Sequence, residues 1–159
     1  MGLETVDPDV LPLIKSNMSL DDFARATRLL IENGIAVRAF VLLGPPGQRG
    51  AARVHWAERS LDYAFSLGVE CCVVIPVRAG NGIMDTLERQ AVYEKPTLAE
   101  LQAAVAYGLG LRRGRVFADL WDVGRFLDCP RCGAARVAAL EQMNTTQRLA
   151  PPIACSCAA

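Results

Sequence analysis

The feature that most narrows what this chain can fold into is a rhythm. Three apolar, β-rich runs, IAVRAFVLL, VECCVVIPV and RVFADLW, are each halted by a turn and separated by stretches with helical periodicity. The first two runs are apolar at consecutive positions rather than alternate ones, as in parallel strands covered on both faces. The run ends at Gly44, Val77 and Asp119 are 33 and 42 residues apart, room for one helical crossover each.

The intervening segments carry their own start and stop signals. SLDDFARATRLLIENG places Ser19 as an N-cap, Asp22 in the reciprocal capping-box position and Gly34 past the end, with Leu20, Phe23, Leu30 and Ile31 on one face. AARVHWAERSLDYAFSLG predicts a second helix with Val54, Ala57, Leu61, Ala64 and Phe65 turned inward and Gly68 as its stop. A longer connection then leads to TLAELQAAVAYGLGL, where Thr97 and Glu100 form another capping box and Leu98, Leu101, Val105 and Leu109 form the stripe. Strand alternating with helix implies a parallel sheet with right-handed crossovers.

The opening GLETVDPD reads as the tip of one more strand, Gly2 to Glu4, running into a turn at Asp7 and Pro8, which makes four strands. A closed eight-stranded barrel takes about 250 residues. The expected fold class is therefore α/β, a partial (half) TIM-type parallel barrel over residues 1–122, whose other half lies on a missing N-terminal half or a partner chain. On spacing alone, a compact open sheet complete in itself fits equally well. Half a barrel predicts open strand edges and an exposed apolar face, through which a homo-oligomer could form.

Composition excludes several classes. Lys plus Arg equals Asp plus Glu at 17 each, so no overall positive field draws in nucleic acid or an anionic membrane. Arg112, Arg113 and Arg115 make one local basic cluster, read first as a solvated helix end. No apolar run approaches the roughly 20 residues of a membrane span. The early acidic residues Glu4, Asp7, Asp9, Asp21 and Asp22 do not suit a signal peptide, and the expected location is the cytoplasm.

From Cys129 the composition shifts, and residues 123–159 read as a small cysteine-rich appendage. Cys129-x2-Cys132, then 22 residues, then Cys155-x-Cys157 offers four thiolates to a metal, with Gly133 easing the first turn. Structural zinc, an auxiliary iron–sulfur cluster and unligated thiols all stay open, because the second pair is closer than in a usual zinc ribbon. Cys71 and Cys72 are strand neighbours that point to opposite faces and read as small core residues. His55, beside Trp56 in a helix, reads as a packing or surface residue. Asp119 and Asp122 follow a strand, where a carboxylate can meet substrate or handle a proton; Asp122 suits a turn or cap better.

Ligands of parallel α/β folds sit at the C-terminal ends of the strands. There, GPPG lacks the Lys-Ser/Thr of a phosphate-binding loop, and GNG has no third glycine at dinucleotide spacing. Taken in order, however, the tips resemble the radical S-adenosylmethionine (SAM) superfamily. GLETVDPDVLPLIKSNMSLDDFARATRLLIENGIAVRAFVLLGPPG is similar to the stretch after the fourth strand of those barrels, and VVIPVRAGNG resembles the sixth strand. The likeness extends over about residues 2–82 and leans toward members allied with the Elongator catalytic subunit and archaeosine-forming proteins, which act on tRNA.

That resemblance implies an S-adenosylmethionine site. Glu4 would accept from the ammonium or ribose hydroxyls and Lys15 would meet the carboxylate. Backbone around Leu43, Gly44, Val74, Pro76 and Arg78 would flank ribose and adenine. The family's Cys-x3-Cys-x2-Cys loop, which holds the 4Fe-4S cluster that reduces SAM to a 5′-deoxyadenosyl radical, has no counterpart here. The main cluster is thus not bindable by this chain, no catalytic residue is assigned, and no activity is expected of it alone. The alternative is a non-catalytic α/β binding module with a zinc-ribbon tail, acting as an adaptor.

Overall fold

Each capped helix begins where its cap stands. In the computed structural model, which describes residues 1–14, 18–80 and 82–158, α1 (Leu20–Glu32) starts after Ser19. The Asp22 N–H donates to Ser19 Oγ and the Ser19 N–H to the Asp22 carboxylate, each at 3.1 Å. α4 (Leu98–Leu111) repeats the arrangement with Thr97 and Glu100. Between them lies α2 (Ala51–Ser66), and α5 (Gly133–Thr146) follows in the C-terminal segment.

Four strands, β1 (Gly2–Glu4), β2 (Arg38–Leu43), β3 (Cys71–Pro76) and β4 (Arg115–Ala118), form one sheet in the order β1-β2-β3-β4, every pair parallel. Sequential order with all crossovers helical is the arrangement of a segment of a TIM-type barrel. The fold is α/β, half of such a barrel with a cysteine-rich C-terminal segment.

The two faces of the sheet differ. Ala39, Val41 and Leu43, Cys72 and Val74, and Val116 and Ala118 are buried on one side, in a core with Phe23 of α1, Leu61 of α2 and Leu101 and Val105 of α4. Alternate residues form the other face: Phe40 pairs in register with Val73 and Val73 with Phe117, while Leu42 pairs with Ile75. All five are half-buried or exposed, Phe40 at 37%. The runs are apolar on both faces, as expected for strands of a barrel wall; the helix-facing side is covered, while on the other face Cys71 is buried and those five residues are not.

Three details depart from the sequence reading. Ile31 of α1 is exposed, and Ala24 and Thr27 join Phe23 on the inner face instead. The long connection after β3 contains a short helix, α3 (Ile83–Arg89), whose Asp85 accepts from the N–H groups of Gly80 and Gly82 at 2.7 and 3.1 Å. Lastly, one predicted open edge is closed. Beyond β4 no strand follows among the described residues; Asn144 of α5 and Gln147, its C-cap, use their side-chain amides as a strand would. Asn144 accepts from Ala118 N–H at 2.7 Å and donates to Ala118 O at 2.9 Å; Gln147 does the same for Val116 at 2.9 and 3.0 Å.

α5 also drives Leu140 and Met143, essentially inaccessible, into the core beneath α4 and β4. Through α5 the C-terminal segment thus shares the core of the sheet and its helices. No helix among the described residues is long and apolar enough to cross a membrane.

Candidate functional site

Two places gather chemistry: the C-terminal ends of the strands and the four cysteines. At the first, Glu4 ends β1 with φ of 63°, a left-handed conformation uncommon for a residue with a side chain. Its carboxylate folds back over Gly2, where a Cβ would collide with Oε1. Burial pushes the Glu4 carboxyl above its ordinary range, the neighbouring ammonium of Met1 opposing the shift. Thr5, just beyond, is inaccessible and accepts from the Asp7 N–H. Gln48 ties the loop after β2 to the loop after β1 by donating to Asp7 Oδ2 at 3.0 Å.

Gly44 sits at φ of 70°, and a Cβ there would come within 3.0 Å of the Arg53 side chain and 3.4 Å of Pro96. Leu43, Val74 and Pro76 turn buried side chains toward the helices, leaving backbone at the strand ends. The Leu43 carbonyl accepts from Val77 N–H and the Val74 carbonyl from Asp119 N–H, at 3.0 and 2.9 Å. Lys15 lies outside the described residues.

Arg78, at the end of β3, donates from Nη2 to Asp119 Oδ2 at 2.7 Å and lies 5.0 Å from the centroid of the Trp121 ring. Trp121 is 73% exposed. Arg78 Nε is buried and, among the described residues, has no acceptor. Asp119 Oδ1 accepts from Trp121 N–H, so one carboxylate fixes both the turn and the arginine. Asp122 has φ of 55° and precedes a 3-10 turn, Val123–Phe126, where it pairs with Arg125: the turn role expected of it.

The second place is built by α5. Cys132 stands at its N-cap position, and the Gly133 N–H donates to Cys129 O at 2.9 Å to close the knuckle. The tail returns Cys155 and Cys157 to the same point. Cys129 and Cys155 sulfurs are 3.8 Å apart, Cys132 and Cys157 3.3 Å, and all four lie within 4.8 Å of one another. Hydrogen bonds from the backbone N–H groups of Cys132 and Arg131 bring the Cys129 thiol down to about 6. Sulfur neighbours, Cys132 foremost, push Cys157 up to about 12. Four thiols sharing protons at one point can exchange them for a metal ion.

Other candidates separate from both places. Cys72 is inaccessible in the core, its thiol pushed up to about 12 by burial. His55 is exposed and edge-on to Trp56. Arg112 and Arg113 are exposed at the end of α4, and Arg115 pairs with Glu70 at the N-terminal end of the strands, opposite the ligand end.

Two buried arginines escaped the sequence reading. Arg53 of α2 donates to Glu100 at 2.8 Å and Glu94 at 2.7 Å. Arg136 of α5 donates to Cys132 Sγ at 3.3 Å, Gln102 Oε1 at 2.7 Å and Ile153 O at 3.1 Å. Both stand on the apolar stripe of their helix, with Ala57 and Leu61, and with Ala139, Leu140 and Met143, and that placement was the available signal.

No protein-family model matches the sequence, and no curated protein matches it. Among solved structures, the chain is similar to Elp3 of the archaeon Methanocaldococcus infernus, in a form with N-terminal residues 1–46 deleted. The two superpose with a TM-score of 0.66 at 16% identity, over 93% of this chain and 36% of that one. The likeness is one of fold, and this chain spans about a third of the length of that neighbour.

Proposed function

We propose that this chain is the C-terminal half of a radical SAM-type barrel with a structural zinc site, working on tRNA once a cluster-bearing N-terminal half, on the same or another chain, completes it. One coincidence carries the reading. The strand tips resemble, by sequence, relatives of the Elongator catalytic subunit, and the fold is similar to about a third of an Elp3.

The strand ends fit such a cofactor in several respects. Glu4 offers a carboxylate on the uncovered face, suited to an ammonium or ribose hydroxyls. Arg78 Nε is a buried donor without an acceptor among the described residues. Leu43 and Val74 carbonyls each keep a second lone pair for ribose or adenine, Gly44 and Pro76 shape the approach, and Lys15 is assigned to the carboxylate. SAM, when bound and reduced by an iron–sulfur cluster, supplies radical chemistry; this chain's own residues bind and orient it. The half-covered row of Phe40, Val73 and Phe117 is the surface that a complementary half would bury.

Zinc is favoured by spacing. A tetrahedral ion with Zn–S bonds of about 2.3 Å sets its sulfurs roughly 3.8 Å apart. The Cys129–Cys155 pair stands at 3.8 Å, the Cys132–Cys157 pair at 3.3 Å, and all four sulfurs lie within 4.8 Å of one another. A four-iron cluster puts each thiolate on a different iron and spreads them wider.

Calorimetric titration with SAM tests the main reading. The chain is expected to bind it weakly, and Glu4→Ala to weaken binding about tenfold, the worth of a charged hydrogen bond. Equal binding by both proteins removes the Glu4 assignment; no binding by the unmutated chain removes the cofactor. For RNA, affinity for tRNA should fall steeply with salt if phosphate contacts contribute. The closed β4 edge and the shared core support a second reading, a non-catalytic α/β adaptor; it predicts partner binding indifferent to SAM.

A further inference from the structure

Arg136 is 6% exposed, yet among the described residues no carboxylate pairs with it. Arg53, buried to the same degree, has two. Gln102 and the Ile153 carbonyl give Arg136 hydrogen bonds but no charge. A cation taken out of water needs an anion or a strong substitute. Its remaining partner is the sulfur of Cys132, 3.3 Å from Nε.

Charge balance identifies the missing anion. Four thiolates around one divalent ion leave a net charge of −2, most of it on sulfur. Arg131, the nearer arginine in sequence, is exposed and reaches the tail instead, donating to Ser156 Oγ at 2.6 Å.

We propose that Arg136 is the counter-ion and positioning residue of the four-cysteine site: its buried guanidinium offsets the charge of a divalent metal tetrathiolate, and its Nε–H orients Cys132 toward the ion. The proposal rests on the metal reading above. Its other two bonds extend from the site to α4 through Gln102 and to the returning tail through Ile153. One side chain therefore joins both cysteine pairs to the barrel wall.

Cobalt(II) titration of the full chain, with metal affinity from chelator competition, provides the test. The unmutated chain should show thiolate-to-cobalt charge-transfer absorption; its absence overturns the metal reading itself. Given that absorption, Arg136→Gln should weaken cobalt and zinc binding about 10- to 100-fold, the usual effect of losing a group that supports a metal ligand. Arg136→Lys should recover much of the loss, and Arg131→Gln should change affinity by less than about threefold.

Melting of metal-free and zinc-loaded protein separates charge from packing. Arg136→Gln should lower the zinc-loaded midpoint far more than the metal-free one, because only the loaded site carries the full anion. Unchanged affinity in Arg136→Gln, or equal lowering of both midpoints, overturns the proposal.

Discussion

The two edges of the sheet are finished in opposite ways. At β4 the outward backbone groups of Val116 and Ala118 are met by the amides of Gln147 and Asn144, borrowed from a helix. At β1, three residues long, no strand or helix among the described residues takes that place. An amide side chain has a donor and an acceptor in one plane, as a peptide does, so it can end a sheet without extending it. The barrel wall is closed to further strands on one side and open to them on the other.

The largest test of this difference acts through the cysteines. With a metal held by the four cysteines as proposed, Cys132→Ser should remove most of its contribution, on the order of 10 kcal/mol where such sites fold small modules, and loosen α5. Hydrogen exchange should then speed up at Val116 and Ala118 and leave Val73 comparatively protected; unchanged exchange at β4 would show that the edge is held without the site. Next, Asn144→Ala combined with Gln147→Ala should cost about 3 kcal/mol in urea unfolding, since four backbone groups lose their partners. The same variant should self-associate through β4, measurable by light scattering.

The two faces give a matched pair. Val41→Ala, in the inaccessible layer under the helices, should cost about 2 kcal/mol. Phe40→Lys, its neighbour on the uncovered face, should cost less than about 1 kcal/mol in the chain alone. An equal cost would mean that something already covers Phe40.

The smallest effect is at the tip of β1. Burial raises the folded pKa of Glu4, so between its unfolded and folded values the folded chain binds more protons than the unfolded one. Stability contributed by this group therefore falls as pH rises through that window. Glu4→Gln should flatten the slope and stabilise the neutral-pH protein by less than about 1 kcal/mol; denaturant midpoints from pH 4 to 7 would reveal the opposite sign if the carboxylate has a cation partner.

What could be read in advance follows from range. Ser19 with Asp22 and Thr97 with Glu100 interact within one turn, so both helix starts are legible in the sequence. The strands are legible because apolar runs of six or so residues between such helices have few other uses. α3 was missed because its glycine-flanked start has no side-chain cap, although Asp85, three residues after Gly82, was a signal. Asn144 and Gln147 look like turn residues in QMNTTQ; only docking of α5 beside β4 gives them partners. For Arg136, charge suggested solvent while position suggested core. Cys129, Cys132, Cys155 and Cys157 meet as a set, which spacing alone left open.

The borrowed amides also set an order of assembly. β4 is made before the helix that completes it, so during synthesis the newest strand waits with one side bare until Asn144 and Gln147 arrive. A ribosome stalled in that interval would present a sticky margin to chaperones, and the finished chain would not.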